Sequence, residues 1–111
     1  QGVVHGNLKP SNLVLNSYPS TNPKVKIVDF GFSSLANQIT GNLKSVEERS
    51  YYQPEILQGT RPTHQSDIYS IGAIAYRMLR GIPYESGKSS RLNLKPEAKK
   101  MEGIVLKALG L

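Results

Sequence analysis

Residues 5–12 read His5-Gly6-Asn7-Leu8-Lys9-Pro10-Ser11-Asn12, and the apolar run Leu13-Val14-Leu15 follows without a break. A second apolar run, Val25 to Val28 with Lys26 interposed, lies beyond a polar stretch. That stretch, residues 16–24, holds two prolines, two asparagines and three Ser/Thr hydroxyls. Short apolar runs flanking a Pro/Asn/Ser cluster predict two strands, 13–15 and 25–28, joined as an antiparallel hairpin. Asp29-Phe30-Gly31 comes directly after the second strand. Residues 29–49 are polar and without periodicity, which predicts an extended loop, and Pro54-Glu55 closes that region. From 65 to 80 the pattern turns helical, with Ser66 as the expected cap and Gly81 and Pro83 as the stop. Its apolar residues (Ile68, Ile71, Ala73, Ile74, Ala75, Met78, Leu79) lie nearly all round, which predicts a buried helix, the most buried element of the fold. A last helix is expected over 96–109, with Pro96 in its first turn and Met101, Ile104, Val105, Ala108 and Leu109 as its apolar stripe. Residues 85–93, rich in Ser, Gly and Lys, are expected to form an exposed loop.

Bulk properties narrow the function classes. The 111 residues suit one domain or part of one. Hydrophobic residues make up 38%, and no apolar run approaches the roughly 20 residues a membrane-spanning helix needs. With no cysteine, disulfides and thiolate metal sites are excluded. The net charge of +6 is scattered, with no run of like charge and no aromatics interleaved with a basic patch, so a solvated basic surface is expected and no nucleic-acid partner. The chain opens on Gln1 and its only methionines are Met78 and Met101, which points to a piece of a longer protein. No repeat, low-complexity segment or targeting signal is visible.

Four constellations stand in order: residues 5–12, Asp29-Phe30-Gly31 after the hairpin, Pro54-Glu55, and Asp67-Ile68-Tyr69-Ser70-Ile71-Gly72 opening the long helix. Each is weak alone. Together, in this order and spacing, they resemble the eukaryotic-type serine/threonine protein kinase family from its catalytic loop onward. The resemblance covers nearly the whole chain. It implies an α+β, protein kinase-like fold: a mainly helical C-terminal lobe with a short β-hairpin, the N-terminal lobe being absent. Residues 1–111 would then be a partial kinase domain, from the catalytic loop to a late C-lobe helix. Phosphoryl transfer needs a cation on the phosphate oxygens, positive charge at the moving group, and a residue that orients the nucleophile. Asp29 can give Mg²⁺ an anionic oxygen, Asn12 can give a second ion a neutral one, and Lys9 can set an ammonium beside the phosphate. Val14 is placed by the resemblance against the adenine ring. Asn7, five positions before Asn12, stands at the base position. The resemblance further implies that His5 packs against Phe30, and that Asp67 caps its helix and binds backbone N–H groups of the catalytic loop. Leu13, Val14, Leu15, Ile74 and Met78 are expected core residues, His64 a loop residue, and Glu47 and Glu48 solvated.

Departures from the family pattern carry the functional expectation. Asn7 replaces the aspartate that accepts the substrate hydroxyl's hydrogen bond, and an amide is no base near neutral pH. Gly6 replaces an arginine that holds a phosphorylated activation loop, and a glycine there adds backbone freedom. Glu48 stands where a threonine usually fixes the catalytic loop, and Gln53 where alanine is usual before Pro54-Glu55. Between Tyr84 and Pro96 there is no room for the usual docking helix. No glycine-rich loop, strand lysine or partner glutamate is found in these residues. The expected function is a degenerate kinase-like domain, a pseudokinase, acting as a binding or regulatory module. The alternatives are an active or weakly active serine/threonine kinase and a non-functional truncated fragment. ATP and Mg²⁺ are expected in a parent protein with an intact N-lobe and not in the isolated chain. A protein partner or protein substrate is expected, and an intracellular, cytoplasmic location.

Overall fold

The structure is a computed structural model, which describes residues 2–16, 22–28, 45–87, 92 and 94–111. Pro10 opens a short 3-10 turn, Pro10–Asn12, where its locked φ fits the first position. The Asn12 N–H closes that turn on the Lys9 carbonyl at 2.9 Å. The chain leaves it directly into β1 (Leu13–Asn16), which pairs antiparallel with β2 (Lys24–Ile27), Leu13 opposite Ile27 and Asn16 opposite Lys24. One more bond, from the Val28 N–H to the Asn12 carbonyl at 2.9 Å, ties the end of β2 to the base of the turn. The expected hairpin is therefore present, with its second strand starting one residue earlier. Its burial is not what the apolar runs suggested: Leu13 packs against the core, whereas Val14 and Leu15 are 48% and 62% exposed. A two-stranded ribbon offers no layer to cover a second face.

The long loop expected over 29–49 is corrected at its end. Residues 29–44 lie outside the described residues, but Val46–Ser50 form a helix, α1. Ser45 caps it, its hydroxyl accepting from the Glu48 N–H at 3.1 Å, and Glu47 and Glu48 occupy the first turn, where a carboxylate meets the positive helix end. Glu47 is not simply solvated. It accepts from the Tyr51 hydroxyl at 3.0 Å and pairs with Arg77 at 2.9 Å. These contacts, Arg77 foremost, hold its carboxyl below the usual range. A second short helix, α2 (Pro54–Leu57), starts on Pro54.

The central helix, α3, spans His64–Arg80. Thr63, not Ser66, is its N-cap. The two form a capping box in which the Thr63 hydroxyl accepts from the Ser66 N–H (3.2 Å) and the Ser66 hydroxyl accepts from the Thr63 N–H (2.8 Å). His64 thus belongs to the helix rather than to a loop. Gly81 ends it in the left-handed region at φ 74°, its N–H on the Arg77 carbonyl. The expectation of burial all round is corrected as well. Ser66, Tyr69, Ser70, Ala73, Ile74 and Tyr76 are buried, while Ile68, Ile71 and Met78 are exposed. Composition made the helix apolar, but only one side of it meets partners among these residues.

A 3-10 turn, Pro96–Ala98, leads into α4 (Lys99–Ala108). Its buried line runs through Val105 and Leu109, and Met101 and Ile104 face outward, so the stripe is rotated from the expected one. The helices α3 and α4 meet at Gly72, where an added Cβ would stand 2.9 Å from the Ala108 Cβ. Within the segment expected to be an exposed loop, Leu92 is wholly buried. Its N–H donates to Glu102 (3.1 Å) and its carbonyl accepts from Arg80 (3.1 Å). The core comprises Leu8, Tyr51, Tyr69, Ala73, Ile74, Tyr76, Tyr84, Leu92, Val105 and Leu109. Tyr84 meets Tyr69 and Tyr76 edge-on, centroids 6.3 and 5.2 Å apart.

Candidate active-site loop

One carboxylate fixes the loop of residues 5–12 to the core helix. Asp67, in the first turn of α3, accepts the His5 N–H at 2.7 Å and the Gly6 N–H at 2.9 Å, one on each oxygen. Its expected contact with this loop is present, and the capping role falls to Thr63 instead. Gly6 sits at φ 80°, and a Cβ there would lie 3.2 Å from two Pro62 carbons. A left-handed backbone and a close neighbour thus both favour glycine here. Its N–H is tied down by Asp67.

His5 is buried and its ring joins two segments. Nδ1 accepts from the Asn7 N–H at 3.1 Å and Nε2 faces the Val28 carbonyl at 2.9 Å. A nitrogen that accepts an N–H carries no proton, so the proton sits on Nε2 and donates to Val28. His5 is a packed structural residue, as expected. The Phe30 stacking proposed for it lies outside the described residues, as does Asp29.

Asn7 is 2% exposed. Its backbone carbonyl accepts from the Asn12 Nδ2 at 2.8 Å, and its side-chain Oδ1 accepts from the Tyr52 hydroxyl. Asn12, also buried, therefore spends an amide N–H on the loop and keeps Oδ1 as the atom that suits a hard cation. Of the expected metal pair, only this half is described. Among the described residues no group of three or more His, Asp or Glu side chains is placed to hold a metal ion. Lys9 is half-buried at the start of the turn. Val14 sits in β1 and is 48% exposed. The turn and hairpin thus bring Asn7, Lys9 and Asn12 into one loop. Tyr52 is the participant that sequence reasoning missed. The only hint of it was the Tyr51-Tyr52 pair just ahead of Pro54-Glu55, because nothing in a spacing tells which of two adjacent tyrosines turns toward a loop 45 residues away.

The loop, pinned by a helix carboxylate, leads through a 3-10 turn into a two-stranded antiparallel hairpin. Compared with known families, residues 1–108 match the protein kinase domain. The chain belongs to the protein kinase domain family. It is 35% identical over 88 residues to a probable serine/threonine-protein kinase, pknA2, of Bifidobacterium longum, an alignment covering 77% of this chain and 11% of that one. A probable serine/threonine-protein kinase PknB of Lactococcus lactis is 32% identical across 96% of this chain and 19% of its own length. The serine/threonine-protein kinase atg1 of Dictyostelium discoideum is 40% identical over 77% of this chain and 13% of its own. The chain thus spans between about a tenth and a fifth of the length of these relatives. Kinases of this family act on protein substrates with ATP and Mg²⁺, and no helix among the described residues is long and apolar enough to cross a membrane.

Proposed function

We propose that these residues form the part of a kinase domain running from the catalytic loop to a late helix of the C-terminal lobe, and that the domain is a pseudokinase, a binding or regulatory module. The observation that carries this reading is Asn7: an uncharged amide at the base position, in a loop that Asp67 and Asn12 hold in place. Asp67 holds His5 and Gly6, and Asn12 holds the Asn7 carbonyl. A missing general base forfeits roughly 10²–10⁴ in rate. In the parent protein, Asn12 Oδ1 and Asp29 would hold Mg²⁺, Lys9 would face the phosphates and Val14 the adenine. Bound Mg²⁺ would neutralise phosphate charge, while this chain's own side chains orient and hold. The runner-up is a weakly active serine/threonine kinase, favoured by the presence of Lys9 and Asn12 in the same loop, with Asn7 orienting rather than deprotonating a hydroxyl.

Single-turnover phosphotransfer by the parent protein and its Asn7→Asp variant, at saturating ATP·Mg²⁺, separates the two. The pseudokinase reading expects a parent rate near zero and a gain of up to roughly 10²–10⁴ when the carboxylate returns. Equal and robust rates in both would establish the runner-up.

A further inference from the structure

We propose that Tyr52 is an internal occupant of the substrate-hydroxyl position, its phenol closing the acceptor atom of Asn7 from within the domain. The inference rests on the reading of Asn7 as the base position and goes a step beyond it. Any hydroxyl to be phosphorylated must donate its hydrogen bond to the side-chain oxygen at that position. In this structure the Tyr52 O–H donates to that oxygen. Asn7 and Tyr52 are 2% and 7% exposed, so the acceptor oxygen and the phenol that donates to it are buried together.

The ring is delivered there by a pinned backbone. The Tyr52 N–H bonds the Arg49 carbonyl at 3.1 Å, and the preceding carbonyl, of Tyr51, accepts from the Ser70 hydroxyl of α3 at 2.5 Å. Two positions on, Pro54 begins α2. Glu48, the residue at the position of the missing threonine, has its N–H committed to the Ser45 cap within α1. The bond between this segment and the base position runs instead through Tyr52.

The test uses the full-length parent protein in single-turnover phosphotransfer, with Asn7→Asp alone and combined with Tyr52→Phe or Tyr52→Ala. Tyr52→Phe takes the hydroxyl off the acceptor, and Tyr52→Ala clears the ring as well. On top of Asn7→Asp, each is expected to raise the rate about tenfold or more, the scale of releasing one hydrogen bond to a charged group. A residue that merely supported the loop would give the opposite sign. An unchanged or lower rate in both combinations, with Asn7→Asp itself active, would overturn the proposal and leave the degenerate-kinase reading intact. If no variant transfers phosphate, the binding-module reading stands with its decay spread beyond Asn7, and exchange of the Tyr52 hydroxyl proton, followed by NMR on the tyrosine-labelled protein, decides this one. Slow exchange that becomes at least about tenfold faster in Asn7→Leu supports it, and fast exchange in the parent refutes it.

Discussion

Asp67 anchors the candidate loop to the first turn of α3. Two backbone N–H groups converge on one carboxylate, and hydrogen bonds to an ionised acceptor are the strong kind. Replacing Asp67 with alanine strands the His5 and Gly6 donors in a mostly buried loop. We expect Asp67→Ala to cost about 2–4 kcal/mol, one to two charge-assisted bonds, read as a lowered urea midpoint at unchanged m-value. A cost under about 0.5 kcal/mol, the range of an ordinary surface change, would show that the loop holds itself. At this scale the resemblance to kinases anticipated the contact between Asp67 and the loop N–H groups. It could not show that a left-handed backbone and the nearby Pro62 ring favour glycine at position 6.

Two glycines in helices separate packing from propensity. Gly72 lies on the face of α3 that meets α4, where an added Cβ would stand 2.9 Å from the Ala108 Cβ and 3.3 Å from the Leu109 backbone nitrogen. Gly103, in the middle of α4, has nothing within 4 Å of such a Cβ. Alanine at either position gains up to about 1 kcal/mol of helix propensity. At Gly72 the helices must separate to admit the methyl, which costs about 1–3 kcal/mol in an already packed contact. Gly72→Ala should therefore destabilise and Gly103→Ala should stabilise by about 0.5–1 kcal/mol, both measured by urea unfolding. Equal shifts in the two variants would mean that the α3–α4 contact is looser than described. The existence and approximate bounds of α3 and α4 were legible from periodicity and from Gly81 and Pro96. Which face each buries was not, since Ile68, Ile71, Met78, Met101 and Ile104 have the hydrophobicity of core residues and stand exposed.

Across the whole molecule, a tyrosine-rich core makes stability sensitive to alkali. Burial pushes the Tyr51 and Tyr69 hydroxyls up from 10.0 to about 12, with the Glu47 carboxylate adding to the effect at Tyr51, and burial raises Tyr84 too. The unfolded chain releases these protons near pH 10, while the folded protein keeps them to about 12. Fewer protons on the unfolded state means that stability falls as pH rises. The tyrosine contribution is complete below pH 10 and is lost between 10 and about 12. Thermal unfolding followed across that window should show a declining Tm, and Tyr69→Phe should flatten the decline. A variant whose curve runs parallel to the parent's would show that Tyr69 is not buried as described.

The sequence by itself determined the family, the hairpin and the residue types in the loop. Those depend on local order: Pro10 and Asn12 beside an apolar run, a polar turn between two strands, a helical period ended by glycine. The neighbours brought together from distant parts of the chain were decided only by tertiary structure. Leu92 looked like an exposed loop residue, yet its side chain is wholly buried and its backbone is held by Arg80 and Glu102. Glu47 is exposed, as expected, but its ion-pair partner Arg77, thirty residues on, came only from the packing. Tyr52 showed no role until its hydroxyl met Asn7. Burial and hydrogen-bond partnership are properties of pairs, and a residue's partner across the fold is fixed by how helices and loops pack, which no local pattern encodes.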